Sequence, residues 1–256
     1  MEQQITFISR GHTVRGWAHV PDGGTPSPAV VMAHGFTGNC SEHGLFDDFA
    51  KQANQAGIYV LRIDCVGSGA SEGDFAEDTC LGGWREDVLQ AVRFLEKQPE
   101  VDTSRIATMG ISMGAGAALA ALSDSRVKAA AGWAPVLYPD EVFLKILGEE
   151  KWKQLGNGES VHHEYAGVTF DANPCLREDA ERISVVDAME RSGKPVLLRL
   201  GTADPVIDPA FGERITARNA KNITVQMVEE ENHGFLVHEQ ENIDVTIAFL
   251  RKSLER

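Results

Sequence analysis

No apolar run in the sequence approaches the roughly 20 residues that a membrane-spanning helix requires. The N-terminal segment lacks the basic start, the apolar core and the small-residue cleavage site of a secretory signal. The four cysteines are far apart and none forms a CxxC pair, so we predict neither a zinc site nor a disulfide framework. We therefore expect a soluble, cytoplasmic protein with free thiols at Cys40, Cys65, Cys80 and Cys175.

Basic residues are scarce relative to acidic ones. The sequence has 24 Lys and Arg against 38 Asp and Glu, which gives a formal net charge of −14 at pH 7. The field of such a molecule opposes nucleic acid and anionic membrane surfaces, so we expect neither as a partner. The acidity is otherwise what solubility alone would account for, and it says little about mechanism.

The sequence contains no internal repeat and no low-complexity tract, so one fold must account for most of its length. With 256 residues and 43% hydrophobic content, the chain can bury one substantial core. We therefore interpret residues 1–256 as a single catalytic domain.

The order of apolar patterns predicts the fold class. The first twenty residues alternate around Arg10-Gly11, as in an antiparallel hairpin. Beyond them, continuous apolar runs typical of strands covered on both faces alternate with segments of helical periodicity. The strand-like runs are 29–33, 58–63, 105–110, 196–200 and 223–228. This alternation predicts an α/β fold: a mainly parallel, eight-stranded sheet with helices on both faces.

The interval 136–182 breaks this rhythm. It mixes aromatic, acidic and Gly/Asn-rich pieces and is too long for an ordinary connection inside a compact domain. We interpret it as a small cap insertion that covers the site. The alternative is a merely irregular stretch of the main domain.

A G-x-S-x-G pentapeptide, Gly110-Ile111-Ser112-Met113-Gly114, follows an apolar strand and precedes a small-residue segment that favours a helix. A sharp strand-to-helix turn would lift the Ser112 hydroxyl above the sheet. Side chains two residues before and after the serine would collide there, and glycine removes both collisions. We predict that Ser112 is a catalytic nucleophile.

A second match, Gly69-Ala70-Ser71-Glu72-Gly73, lacks this context. Glycine-rich sequence precedes it and an acidic loop follows it, without a small-residue helix. A carboxylate beside the nucleophile would also repel the oxyanion of an acyl-transfer intermediate. We therefore expect Ser71 to have a structural role in a turn.

A serine nucleophile needs a histidine base, which in this type of fold follows the acid in the chain. The candidates after Ser112 are His162, His163, His233 and His238. We favour His233, because it lies in a loop after the last predicted strand, where open α/β sheets bind ligands. The first two lie in the suspected insertion, and His238 is expected on the final helix.

The acid should lie in the loop after the strand at 196–200. Asp204 occupies that loop, where its carboxylate could fix the histidine tautomer and stabilise the imidazolium. Asp208 is the competitor, but it lies farther from the strand end and just before Pro209, where helix capping is the plain alternative. We favour Asp204.

An oxyanion hole requires two backbone donors. The Met113 N–H lies at the start of the helix after Ser112, and the loop after the first apolar parallel strand offers the Phe36 N–H. His34 in the same loop precedes the other candidates in the chain, so we expect it to brace the loop by a hydrogen bond.

Taken together, these motifs resemble the α/β-hydrolase esterases that are related to bacterial cinnamoyl or feruloyl esterases. Besides the loops of Ser112, Asp204 and His233, the resemblance is carried by His34-Gly35-Phe36-Thr37-Gly38-Asn39 and Arg62-Ile63-Asp64-Cys65-Val66-Gly67-Ser68-Gly69-Ala70-Ser71-Glu72-Gly73. It implies a carboxylic-ester hydrolase with a small insertion over the site, no metal, no organic cofactor and oxyanion donors at Phe36 and Met113. The insertion does not match the phenol-binding pattern of feruloyl-specific members. A general esterase is therefore the primary expectation, and feruloyl specificity is the option beside it.

We expect a small-molecule ester as substrate and a monomer or homodimer as the working form. Two alternatives stay open. The same Ser-His-Asp constellation cleaves amides and thioesters, so a peptidase or thioesterase is the second enzymatic hypothesis. An α/β-hydrolase scaffold can also act as a non-catalytic binding protein.

Overall fold

Ten β-strands and nine α-helices occur in the part of the chain that the computed structural model describes, residues 1–23 and 25–255. The strands are β1 (Glu2–Ser9), β2 (His12–His19), β3 (Ser27–Ala33), β4 (Tyr59–Ile63), β5 (Val101–Ile111), β6 (Val127–Trp133), β7 (Val161–Tyr165), β8 (Val168–Ala172), β9 (Val196–Gly201) and β10 (Ile223–Val228). The helices are α1 (Leu45–Gln55), α2 (Phe75–Asp78), α3 (Leu81–Leu95), α4 (Ser112–Ala120), α5 (Pro139–Gly156), α6 (Pro174–Arg182), α7 (Val185–Ser192), α8 (Ala210–Ala217) and α9 (Glu239–Ser253).

Eight of these strands form one sheet in the order β1-β2-β4-β3-β5-β6-β9-β10. The pairs β1/β2 and β2/β4 are antiparallel, and the remaining pairs are parallel. Arg10 and Gly11 join the first two strands with φ values of 50° and 84°, as a tight hairpin turn requires. The predicted hairpin and the mainly parallel eight-stranded sheet are therefore confirmed.

The central strands are buried on both faces. All five residues of β4 and all six of β9 are buried, although successive side chains of a strand point to opposite faces. Helices must therefore cover both sides, as the continuous apolar runs predict. The main differences from the predicted bounds lie at the ends: β5 begins at Val101 and α4 begins at Ser112 itself.

The interval 136–182 folds outside the main sheet, as helix α5, the antiparallel hairpin β7–β8 and helix α6. Gly148 has a φ of 78° and interrupts α5. Pro174 occupies the first turn of α6, where its missing N–H costs nothing. We call 136–182 the inserted segment.

Helix α4 approaches the end of β3 closely because position 114 carries no side chain. A Cβ atom built on Gly114 would lie 2.1 Å from the His34 carbonyl oxygen and 2.2 Å from that of Ala33. A Cβ built on Gly110 would lie 2.5 Å from the Gly114 carbonyl carbon. The two glycines thus permit the crossing of β5, α4 and β3 on which the turn at Ser112 depends.

The Gly114→Ala substitution is expected to lower the free energy of unfolding by about 3 kcal/mol, the upper end of the range for overpacking, because the added methyl group would meet backbone atoms that cannot rotate away. Urea denaturation followed by circular dichroism measures this change. Gly234→Ala is the matched control, since the nearest atom to its Cβ would be 3.4 Å away. Equal stability of the two variants would contradict the close crossing.

The four cysteines are free in the structure and differ in environment. Cys40 and Cys65 are buried, which raises the pKa of Cys40 to about 12 and that of Cys65 well above its ordinary value. Cys80 precedes α3, and Cys175 lies in the first turn of α6. A hydrogen bond between their thiols lowers the pKa of Cys175 and raises that of Cys80.

Alkylation of the folded protein with iodoacetamide is expected to modify Cys175 first, because the thiolate is the reactive form and this thiol is partly accessible. Peptide mass spectrometry over a time course measures the order of modification. Cys40 and Cys65 should react only after denaturation, which supplies the control for reagent activity. Modification of Cys65 as fast as Cys175 in the native state would contradict these environments.

Candidate active site

Ser112 lies at the sharp junction between β5 and α4. Its φ is 54°, in the left-handed region that a residue other than glycine rarely adopts. The residue is only 7% exposed. Backbone strain of this kind costs on the order of 1–3 kcal/mol and persists where the surrounding structure imposes it, which is common at functional sites.

The His233 imidazole bridges Ser112 and Asp204. Its Nε2 atom lies 3.1 Å from Ser112 Oγ, and its Nδ1 atom lies 2.9 Å from Asp204 Oδ2. Since a carboxylate only accepts hydrogen bonds, the network assigns the proton of the neutral ring to Nδ1. Nε2 is then free to accept the proton of the Ser112 hydroxyl.

Asp204 follows β9, and each of its two carboxylate oxygens has different hydrogen-bond partners. Oδ1 accepts hydrogen bonds from the backbone N–H groups of Val206 and Ile207, at 2.8 and 2.9 Å, while Oδ2 faces His233. Its side chain is 1% exposed. Asp208, the competing candidate, accepts instead from the Ala210 N–H at the start of α8, a helix-capping contact.

The other three candidate histidines contact different parts of the molecule. His162 and His163 lie in β7, where the first pairs with Asp171 and the second contacts Lys151 and the Ile146 carbonyl. His238 lies at the start of α9 and contacts the Glu229 carbonyl at 3.0 Å. The structure therefore brings His233, of the four, to Ser112.

Ser71 is held in a turn. Its hydroxyl donates to the Asp64 carbonyl at 2.6 Å and accepts from the Arg15 N–H at 2.8 Å. Its own N–H donates to the Ser68 carbonyl at 3.0 Å. These contacts join the loop after β4 to β2, which accounts for this second pentapeptide without a catalytic role.

The two predicted oxyanion donors belong to elements that meet beside Ser112. Met113 is the second residue of α4, in the first turn, where backbone N–H groups have no intrahelical partner. Phe36 lies in the loop after β3. A Cβ built on the preceding residue, Gly35, would lie 3.5 Å from Ser112 Cβ, so this loop runs directly alongside the serine.

A carboxylate that the sequence analysis missed holds the loop after β3. Glu42 accepts a hydrogen bond from the Gly35 N–H, and a Cβ on Gly38 would overlap the same Glu42 oxygen. Glu42 itself has a φ of 46°. No short motif could have indicated this contact, because it depends on a left-handed turn that folds residue 42 back over the loop.

His34 braces the same loop, as expected. Its Nε2 accepts from the Cys65 N–H at 3.1 Å, so the proton of the neutral ring lies on Nδ1, which donates to the Gly35 carbonyl at 2.8 Å. Trp84 contacts the ring edge-on at 4.8 Å between centroids. The residue is fully buried and supports the loop from behind.

A cleft of about 250 Å³ opens at Ser112 and His233. Most of its lining is apolar, and the inserted segment supplies a large share through Ile146, Ala166 and the aromatic rings of Tyr165 and Phe170. The lining in the described chain includes Glu42 but no Lys or Arg. The cleft therefore suits a small, largely apolar group without negative charge.

The inserted segment also packs on the residue that carries a predicted oxyanion donor. The Phe36 ring lies 4.9 Å from that of Phe170 in β8 and 5.5 Å from that of Phe143 in α5, both edge-on. Phe75, in α2, contacts Phe36 at 5.1 Å. The position of the inserted segment is thus linked to the loop beside Ser112 through one aromatic cluster.

Two further observations concern the described residues alone. They contain no group of three or more His, Cys, Asp or Glu side chains placed to hold a metal ion. None of their helices has the length and apolar character needed to cross a membrane.

Several known proteins are similar to this chain in sequence. The polyketide transferase ATR5 of Stachybotrys chlorohalonatus is 37% identical over 126 residues, which cover 49% of this chain and 41% of that protein. The chain thus spans less than half the length of this relative. The polyketide transferase af380 of Aspergillus fumigatus is 27% identical over 96% of both chains.

Among solved structures, Est1E from Butyrivibrio proteoclasticus with bound ferulic acid superposes with a TM-score of 0.84. The superposition covers 98% of this chain and all of Est1E, at 22% sequence identity. Similarity at this level of identity establishes a shared fold. The family model described as serine aminopeptidase, S33, matches residues 24–159, more than half of the sequence. The chain therefore belongs to this family of α/β-hydrolase enzymes.

Proposed function

We propose that the protein is a carboxylic-ester hydrolase in which Ser112, His233 and Asp204 form the catalytic triad. The observation that carries the proposal is the continuous hydrogen-bond chain from the Ser112 hydroxyl through both ring nitrogens of His233 to Asp204, at the mouth of an apolar cleft. A nucleophile, a base and a group that orients the base are the parts that acyl transfer requires.

In the first step, Ser112 Oγ attacks the ester carbonyl carbon while its proton moves to His233 Nε2. The negative charge that develops on the carbonyl oxygen is stabilised by the Phe36 and Met113 N–H groups. Collapse of this intermediate breaks the bond to the alcohol oxygen, which takes the proton from Nε2. The alcohol leaves and Ser112 carries the acyl group.

In the second step, water replaces the alcohol and the sequence runs again. His233 accepts a proton from the attacking water, and Ser112 recovers a proton when the acyl bond to it breaks. Asp204 stays ionised throughout. Its hydrogen bond to Nδ1 favours the imidazolium that forms in each step, which is why the two N–H contacts that fix its other oxygen matter.

The cleft favours a small, apolar acyl group. Its volume and its lining by Ile146, Tyr165 and Phe170 suit a short aliphatic or single-ring acyl chain. The absence of Lys and Arg from the described lining disfavours an anionic one. The bound ferulic acid of Est1E makes a hydroxycinnamoyl ester one substrate to test. General esterase activity on small acyl groups is the primary proposal.

Acyl transfer to an acceptor other than water is the second candidate. The relatives ATR5 and af380 are both named polyketide transferases, and the same acyl-enzyme serves hydrolysis and transfer. The two reactions differ only in which nucleophile reaches the acyl carbon in the second step. The family description, serine aminopeptidase, similarly keeps amides among the substrates to compare.

The Ser112→Ala variant is expected to lower kcat on p-nitrophenyl butyrate by about 10⁴- to 10⁶-fold with its fold intact, because no hydroxyl remains to form the acyl-enzyme. Steady-state assays and circular dichroism measure the two properties. Ser71→Ala is the matched control and should retain activity.

A fluorophosphonate is expected to label wild type stoichiometrically and to leave Ser112→Ala unlabelled. If wild type is not labelled, the result would favour a non-catalytic binding protein.

A panel with one acyl group and different leaving groups tests the reaction class. We expect kcat/KM to be higher for the butyrate ester than for the butyryl anilide, since an amide carbonyl is less electrophilic and an amine is a poorer leaving group than an alcohol. Preference for the butyryl thioester over the ester, beyond its greater intrinsic reactivity, would indicate a thioesterase. Preference for the anilide would indicate a peptidase. When methanol is added, the ratio of methyl butyrate to butyrate measures how much of the acyl-enzyme passes its acyl group to the alcohol rather than to water.

A further inference from the structure

Glu231 is a buried carboxylate that the proposed mechanism does not use. It lies two residues before His233 and is 0% exposed. Its Oε1 atom accepts hydrogen bonds from the N–H groups of Asn232 and Val237, at 3.0 and 3.1 Å. Its Oε2 atom accepts from the His238 N–H and the Asn242 side-chain amide, both at 2.9 Å.

These contacts close the loop that carries His233. Asn232 precedes the histidine, whereas Val237 and His238 follow it, so one carboxylate ties both ends of the loop together. Phe235, between these ends, has a φ of 57°. A loop with such a residue stores strain, and charge-assisted hydrogen bonds to its backbone offset that strain.

The backbone of Glu231 also contacts the loop that carries Asp204. Its carbonyl oxygen accepts from the Ala203 N–H at 3.0 Å, one residue before the acid. The same oxygen would lie 2.2 Å from a Cβ on Gly201, the last residue of β9. Glu231 therefore fixes the His233 loop relative to the Asp204 loop, and these two loops must keep a separation of 2.9 Å between Nδ1 and Oδ2.

The buried charge has a cationic counterpart two hydrogen bonds away. Asn242 donates to Glu231 with its amide nitrogen and accepts from Arg199 Nε at 2.9 Å with its oxygen. Arg199 is 2% exposed and also forms an ion pair with Glu241, at 2.9 Å, so it balances the Glu231 charge only in part. Burial of an unbalanced carboxylate would cost several kcal/mol, so this chain of contacts explains how a charge is retained here.

A neutral amide cannot replace the carboxylate without loss. Four donors point at its two oxygens, and a glutamine would bring its own NH₂ group against two of them. The site thus requires an acceptor on both branches of the side chain, which a carboxylate supplies and an amide does not.

We propose that Glu231 is a positioning residue for His233, which holds the imidazole in line between Ser112 and Asp204 by closing the loop 231–238. The proposal rests on the proposed function, because it assigns Glu231 to the same triad. Glu231 touches neither the substrate nor the reacting atoms; it acts through the loop backbone. A displacement of about 1 Å in a catalytic group can cost on the order of 100-fold in rate, so loss of this clamp should be visible in kcat.

The test compares Glu231→Gln with a variant of similar stability. We expect kcat per active site, titrated with a fluorophosphonate, to fall about 10- to 100-fold while KM changes less than about threefold, because the acyl pocket is untouched. Leu250→Ala in α9 is the control for stability: it empties a buried position away from the site and should keep kcat per titrated site within about twofold of wild type. Glu230→Gln, which removes an exposed charge from the residue just before this loop, should also leave kcat unchanged.

Asn242→Ala supplies a milder second variant, which keeps three of the four donors to Glu231 and should lower kcat per site about 3- to 10-fold. If Glu231→Gln does not fold, this variant tests the positioning role of Glu231 in its place. A kcat per titrated site equal to that of Leu250→Ala, in whichever of the two variants folds, would overturn the positioning role. Wild-type turnover that survives Ser112→Ala would instead contradict the proposed function, so the two failures are distinguishable.

Discussion

The close approach of α4 to the end of β3 is the constraint on which the rest of the site depends. Because Gly114 lies against the carbonyl oxygens of Ala33 and His34, the helix can begin immediately after β5 and leave Ser112 beside the loop that follows β3. This one crossing therefore places the proposed nucleophile, the first turn of α4 and the Phe36 loop next to each other in space. Any side chain at position 114 would push these three elements apart together.

The remaining parts of the site reach this crossing from strands farther along the sheet. β9 and β10 end on the same side as β3 and β5 because they run parallel to them, so the loops of Asp204 and His233 extend toward Ser112. Topology brings these loops near one another, but it does not set a separation of 2.9 Å between two side-chain atoms. Local contacts must do so, and a buried carboxylate is a strong means of fixing backbone N–H groups.

The sheet, the turn at Ser112 and the different role of Ser71 could be predicted because each depends on a local sequence pattern. Continuous apolar runs predict buried strands, and two glycines flanking a serine predict a turn that other residues could not form. The preference for Asp204 over Asp208 also follows from distance to a strand end. The start of β5 could not be predicted from the sequence, since several of its first residues are partly or fully exposed and lie outside the apolar run.

Glu42 and Glu231 could not be found in this way. Their contacts join residues that are neighbours only after the loops have folded, and in a chain with 38 acidic residues a single glutamate carries no signal. The inserted segment is a similar case. Its composition indicated an interruption, but the contacts of Phe143 and Phe170 with Phe36 depend on how a helix and a hairpin pack over the sheet.

Glu42 and Glu231 stabilise their loops in the same way. Each lies beside a loop that flanks Ser112, and each loop contains a residue with a positive φ, Thr37 in one and Phe235 in the other. Strained backbones of this kind need partners that bind N–H groups more strongly than a neutral oxygen does, and a carboxylate satisfies this requirement.

Negative charge near a developing oxyanion would ordinarily raise the barrier to acyl transfer. At Glu231 the charge is compensated by four donors and, through Asn242, by Arg199; at Glu42 one oxygen is bound to the Gly35 N–H. Glu231 can therefore order its loop with most of its field cancelled locally. Glu42 also lines the cleft, so its charge disfavours a negatively charged acyl group in the proposed reaction.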